Sequence, residues 1–301
     1  MTRPYDFRGQ MPILPTTIHA DNSLDLQSQR KLVDYCLANG AAAIGHLGGA
    51  SEYHKVASSH REAIIATVIE QVNGRVPVFI GTTDLSIVDS LENARIAQKL
   101  GADLLMVCSP AAGVMRKDDL FDYYRAVSES CDLPIIVQDT GASAGQYDAD
   151  FMVKLGKEIP ACMYAKAEGA DFLDKTRALL DGAGDSMQIV GGAAGFHMIQ
   201  LLRLGITAFM TGTEACEVHN EVIHSWLGGN EDAAIRSFYT KLLPYLEIFN
   251  LDWRFFLKYM LHKRGLIENT KLLFPLDGPA PSPLLMQEMD YILDRIAKDK
   301  I

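Results

Sequence analysis

The 301-residue chain is poor in cysteine and tryptophan, with five of one and two of the other. Cys36, Cys108, Cys131, Cys162 and Cys216 are widely spaced, odd in number and form no CxxC pair. That excludes a disulfide framework and predicts reduced core thiols in a cytoplasmic protein. The eight histidines offer no ligand spacing. His219 and His224 stand five apart, whereas two ligands on one helix face need a spacing of four, so no metal is expected. No apolar run approaches the roughly 18 residues of a membrane helix, and Met1 to Phe7 lacks the apolar core of a signal peptide. Basic runs are missing too. With 38 acidic against 28 basic side chains the formal charge is −10, which repels phosphate backbones and argues against nucleic acid as a partner. The 24 Gly and 12 Pro follow no short repeat, and 48% hydrophobic with 22% charged residues excludes disorder.

What is present is alternation. Short apolar runs, rich in β-branched residues, precede amphipathic stretches that often stop at glycine. The runs are Ile13-Leu14, Ala42 to Ile44, Val76 to Ile80, Leu104 to Cys108, Ile135 to Val137, Cys162 to Ala165, Met187 to Val190 and Thr207 to Met210. Ser59 with Glu62 has the form of a capping box, and Ser86 with Asp89 opens the next helix. Gly40, Gly101, Gly156, Gly182, Gly205 and Gly228 read as helix stops. About eight strand–helix units in residues 1–228 predict a (β/α)8 barrel, an α/β fold. A doubly wound sheet ranks second, because no GxGxxG follows the first run. Residues 229–301 carry the 3.6-residue period instead and read as a three-helix extension packed on the barrel, with helices near 231–249, 253–263 and 285–298.

In such a barrel the chemistry sits where the strands end. The eight runs lead into small and hydroxylated residues, among them Gly48-Gly49-Ala50-Ser51-Glu52, Gln138-Asp139, Gly191-Gly192 and Thr211-Gly212-Thr213. A roomy polar mouth rich in backbone N–H groups suits a small oxygenated anion. Lys166 stands out, between alanines at the end of an internal run. Lost hydration there favours a neutral amine, which can form a Schiff base with a ketone. The plainer reading is an ion pair with Glu168, two residues on and facing the same way. The glycine-rich turn ending at Glu52 either cradles a carboxylate with its amides or is an ordinary loop. Glu52 itself is a buried acid or a solvated loop residue. His46 reads as a packed core residue, Tyr53 and Tyr147 as possible hydroxyl donors, and the aromatics from Tyr245 to Tyr259 as helix packing.

These residues resemble the dihydrodipicolinate synthase / N-acetylneuraminate lyase superfamily. The likeness runs over nearly the whole chain and includes Gly48 to Glu52, Arg61-Glu62, Gly74 to Val78 and Leu133 to Ile136. The resemblance implies a (β/α)8 barrel with a C-terminal helical extension, a homotetramer or dimer, and Lys166 as the Schiff-base lysine. It also implies that Gly49-Ala50 stand where most members hold the substrate carboxylate with a Thr-Thr pair. Gln138-Asp139 replace a Tyr-Asn pair, Pro110-Ala111-Ala112 replace Pro-Tyr-Tyr, and Ser143 replaces a substrate-gripping arginine. The altered pattern is similar to one branch, the L-2-keto-3-deoxyarabonate dehydratases, in Ser51-Glu52, Gln138-Asp139, Lys166-x-Glu168 and Met210-Thr211-Gly212. Two acidic residues of that branch are Ala193 and Ala194 here.

The expectation is a lyase for a 2-keto-3-deoxy sugar acid, working without metal or organic cofactor. Lys166 is the nucleophile, Glu168 moves the C3 proton, and Gln138 and Asp139 orient hydroxyls. Gly49, Ala50, Ser51, Glu52, Ser143, Gly192 and Thr211 are the expected substrate contacts. A dehydratase is favoured over an aldolase that breaks C3–C4, and over a non-catalytic keto-acid binding protein.

Overall fold

The computed structural model describes residues 3–110, 113–140, 147–169, 171–276 and 278–298. Ala111, Ala112 and Ser143 therefore lie outside the described residues.

Eight short strands follow one another as β1 (Gly9–Gln10), β2 (Ile44–His46), β3 (Val78–Gly81), β4 (Leu104–Val107), β5 (Ile135–Gln138), β6 (Cys162–Ala167), β7 (Gln188–Gly191) and β8 (Ala208–Phe209). Between and after them run α1 (Leu26–Ala38), α2 (Ser58–Val72), α3 (Ile87–Leu100), α4 (Lys117–Ser130), α5 (Ala149–Glu158), α6 (Phe172–Ala183), α7 (Met198–Arg203) and α8 (Cys216–Leu227). All pairings are parallel, in the order β1-β8-β7-β6-β5-β4-β3-β2. Ile13 closes the ring by bridging both Gly45 of β2 and Gly212 beyond β8. The fold is the expected (β/α)8 barrel.

The first strand lies earlier than its apolar run suggests. Pro12 and Pro15 flank Ile13-Leu14 and have no N–H to give to a ladder, so the regular pairing is made by Gly9 and Gln10 instead. The Pro12 carbonyl still accepts from the Gly45 N–H at 2.9 Å.

Alternation along each strand sorts side chains into two layers. Leu104, Met106, Ile136, Tyr164, Val190 and Met210 fill the barrel interior. Leu105, Val107, Ile135, Val137, Ala165 and Ile189 pack outward under the helices. A register shift opposite Ile135 and Ile136 inserts Met163 as an extra residue of β6. Beyond it Tyr164 points inward, and Lys166, two residues on, follows it.

Helix ends follow their capping chemistry, with two departures. Ser86 caps α3, its hydroxyl accepting from the Asp89 N–H at 3.4 Å. The Ser59–Glu62 box does not form, because α2 opens two residues early with Ala57 at its cap and Ser59 already inside the first turn. Gly156 and Gly182 lie within α5 and α6 rather than ending them. A Cβ on Gly156 would sit 2.3 Å from Met187, and one on Gly182 would sit 2.8 Å from Val153, so both serve close packing.

The C-terminal extension begins with α9 (Glu231–Ser237), which continues through a π-helical segment, Phe238–Leu242, into α10 (Leu243–Phe249). Then come α11 (Trp253–Lys263), capped by Asp252, and α12 (Pro283–Lys298). All five cysteines are free, four of them buried. Among the described residues no helix is long and apolar enough to cross a membrane.

Candidate active site

The C-terminal ends of the strands surround a cavity of about 500 Å³. Lys166 reaches it from β6, in register between Gln138 of β5 and Val190 of β7. Because β6 extends to Ala167, this lysine stands inside the strand rather than after it, and it is only 6% exposed. Its Nζ lies 2.9 Å from Glu168 Oε1. Both readings of Lys166 therefore meet in one geometry: it is ion-paired, and it faces a cavity.

Glu168 is held from three sides. The Ala193 N–H donates to Oε1 at 3.0 Å, and Gln138 Nε2 donates to Oε2 at 3.4 Å. Gly192 supplies the space, since a Cβ there would fall 2.4 Å from Glu168 Cγ. Ala193 and Ala194 adopt left-handed backbone, φ 49° and 53°, which turns the chain sharply beside the carboxylate.

Asp139 is 4% exposed and lines the same cavity. Lys175, on α6, donates to its Oδ2 and also to the Glu168 carbonyl oxygen, the latter at 3.3 Å. Burial drives the Asp139 carboxyl up to about 6 against the downward pull of Lys175, with the Glu168 charge adding to the rise. Its other oxygen, Oδ1, is buried without a hydrogen-bond partner. Gly169 (φ +93°) makes room for this carboxylate, as a Cβ would stand 2.8 Å from Oδ2.

Gly49, Ala50 and Thr211 line the cavity, as expected. The Thr211 hydroxyl accepts from Gln10 Nε2 at 2.6 Å and donates to the Gly212 carbonyl at 2.9 Å. Gly192, Ser51 and Glu52 are not among the lining residues. The Ser51 hydroxyl donates to the Leu14 carbonyl at 2.6 Å, tying the turn to the segment that follows β1. Glu52 is 1% exposed and pairs with Lys258 of α11 at 2.9 Å, while the Leu273 N–H donates to its other oxygen at 3.0 Å. Its carboxylate thus fastens the turn to the extension and does not reach a substrate. Of the predicted site residues, the structure gathers Lys166, Glu168, Gln138, Asp139, Gly49, Ala50 and Thr211.

Other features were missed or misread. Lys175 carried no signal, since lysine on a helix is normally solvated. Phe249, Asn250, Trp253 and Leu257 form one wall of the cavity, so part of the aromatic stretch read as helix packing belongs to the site. Tyr53 bonds to Cys108 and Tyr147 to Tyr124; both are buried, which pushes their hydroxyls up, and neither lines the cavity. His46 is a core residue as read: its Nδ1 accepts from the Leu47 N–H, and burial lowers its pKa to about 3.

Comparison with known proteins places this geometry. The chain is 30% identical over 251 residues to the L-2-keto-3-deoxyarabonate dehydratase of Azospirillum brasilense, covering 82% of this chain and 80% of that one. It is 28% identical to the 4-hydroxy-tetrahydrodipicolinate synthase of Nitrosococcus oceani, covering 87% and 89%. The solved 4-hydroxy-tetrahydrodipicolinate synthase of Methylacidiphilum fumariolicum SolV shares the fold, with a TM-score of 0.89 over 97% of each chain at 18% identity. With the sequence model of the dihydrodipicolinate synthetase family matching residues 6–281, the chain belongs to that family of lyases.

Proposed function

We propose that the protein is a Schiff-base dehydratase acting on a 2-keto-3-deoxy sugar acid of the L-arabonate type. The observation that carries this reading is the buried Lys166 amine, 2.9 Å from a carboxylate and facing a cavity at the strand ends. Similarity to a named dehydratase over four-fifths of the chain supports the choice of reaction.

The substrate carboxylate lies against the Gly49-Ala50 backbone, which brings C2 to Lys166. Glu168 takes one proton from the paired Lys166 ammonium, the freed amine adds to the carbonyl and passes a second N–H proton to its oxygen, and Glu168 returns its proton so that this oxygen leaves as water, giving the iminium and a carboxylate again. The iminium acidifies C3, whose proton passes to Glu168, and Gln138 steadies that carboxylate from β5. The enamine then expels the C4 hydroxyl, and hydrolysis releases product and lysine. Metal is not required by any step, and association into a dimer or tetramer is part of the reading.

Borohydride added with 2-keto-3-deoxy-L-arabonate or pyruvate is expected to fix an adduct on Lys166, and Lys166→Ala to abolish both adduct and turnover. Failure of wild type to be trapped by either acid refutes the Schiff base. Pyruvate plus an aldehyde as products, in place of the dehydrated keto acid, refutes the dehydratase in favour of aldol cleavage.

A further inference from the structure

Expelling a hydroxyl needs a proton at the C4 oxygen, and the cavity holds two carboxyl groups, Glu168, which takes the C3 proton, and Asp139. We infer that Asp139 is the general acid that protonates the departing C4 hydroxyl, with Lys175 as its positioning residue; this rests on the dehydratase reading above. Asp139 lines the cavity, leaves one buried oxygen without a partner, and is fixed through its other oxygen by Lys175. The same lysine bonds the Glu168 backbone, so one side chain sets the distance between acid and base. Gly169 clears the volume that the Asp139 carboxyl occupies.

The step balances without a further reactant. The enamine pair becomes the C3–C4 double bond, the C4–O pair leaves with oxygen, and that oxygen takes the Asp139 proton and departs as water. Asp139 is left as a carboxylate paired with Lys175 and regains its proton from solvent. The charged or titratable groups around it are Lys175 of α6, Lys166 of β6, Glu168 just beyond β6, and Tyr147 ahead of α5.

The test compares three reactions of wild type and Asp139→Asn: dehydration of 2-keto-3-deoxy-L-arabonate, fluoride release from its 4-deoxy-4-fluoro analogue, and hydrogen–deuterium exchange at the pyruvate methyl group. Fluoride leaves with little help from a proton, and exchange needs only Lys166 and Glu168. Dehydration is expected to fall by about 10²–10⁴-fold while the other two stay within about threefold of wild type. Unchanged dehydration, or an equal fall in all three, overturns the assignment. Loss of exchange and of borohydride trapping in the wild type instead overturns the Schiff-base reading, so the two failures are distinct. Wild type alone also decides the matter if the variant does not fold. Its kcat for the hydroxyl substrate should drop as pH rises above about 6, whereas the fluoro analogue keeps a flat profile over that range; parallel profiles overturn the proposal.

Discussion

Gly192 and Glu168 occupy complementary space: the carboxylate stem of one lies where the side chain of the other would be, 2.4 Å from the missing Cβ. The Ala167 carbonyl crowds the same point at 2.8 Å, so the backbone offers no relief. Gly192→Ala is therefore expected to displace Glu168 and lower kcat by about 10²-fold or more, the usual worth of a positioned acid–base group. Steady-state rates, with thermal unfolding measured alongside, check this. A variant with normal kcat shows that Glu168 does not do the work given to it.

The Glu52–Lys258 pair is nearly sealed from water, at 1% and 2% exposure. Its geometry is completed by the Leu273 N–H on the acid and the Lys271 carbonyl on the base. Lys55, its side chain also buried, stands 3.7 Å from the same carboxylate, so Lys258→Met leaves Glu52 with a more distant partner and should cost about 3 kcal/mol, the low end for a broken buried pair. Adding Glu52→Gln to it should recover part of that loss, a coupling that denaturant titration of the double-mutant cycle measures. Strict additivity of the two single changes speaks against the pairing.

Trp253 contributes a half-buried ring to the cavity wall. A wall residue that carries no reacting group is expected to bind ground and transition states alike, so Trp253→Ala should raise KM, by roughly tenfold, and alter kcat much less. Initial-rate kinetics separate the two. A fall in kcat alone contradicts a wall that only binds.

The raised Asp139 carboxyl makes a signed contribution to stability. Its folded value, about 6, exceeds the ordinary 3.8, so the native chain binds this proton more tightly than the unfolded one. The contribution is complete below about pH 3.8 and is lost as pH rises through about 6. The Tm of Asp139→Asn relative to wild type should accordingly climb between pH 4 and pH 7. A relative Tm that falls over that interval contradicts the raised value.

Much of this was legible before any coordinates. Runs of Ile, Val and Leu separated by capped amphipathic stretches declare a parallel barrel, because both faces of each strand are covered. Lys166 and Glu168 share a side by simple alternation, and both reach the cavity. What stayed hidden depended on tertiary contact. Nothing local says that Glu52 meets a lysine more than two hundred residues away, or that Lys175 turns back from its helix to Asp139. The Trp253 signal was present but ambiguous, since an aromatic at helical spacing looks the same whether it covers a core or a cavity. Prolines 12 and 15 were visible too, and a stricter count of N–H donors would have moved the first strand to Gly9.

Trp253 and Leu257 come from α11 while Lys166, Glu168 and Asp139 come from the barrel, so the cavity is built from two separate stretches of chain. Substitutions in the appendage alone can therefore reshape one wall of the cavity and leave Lys166, Glu168 and Asp139 where they stand.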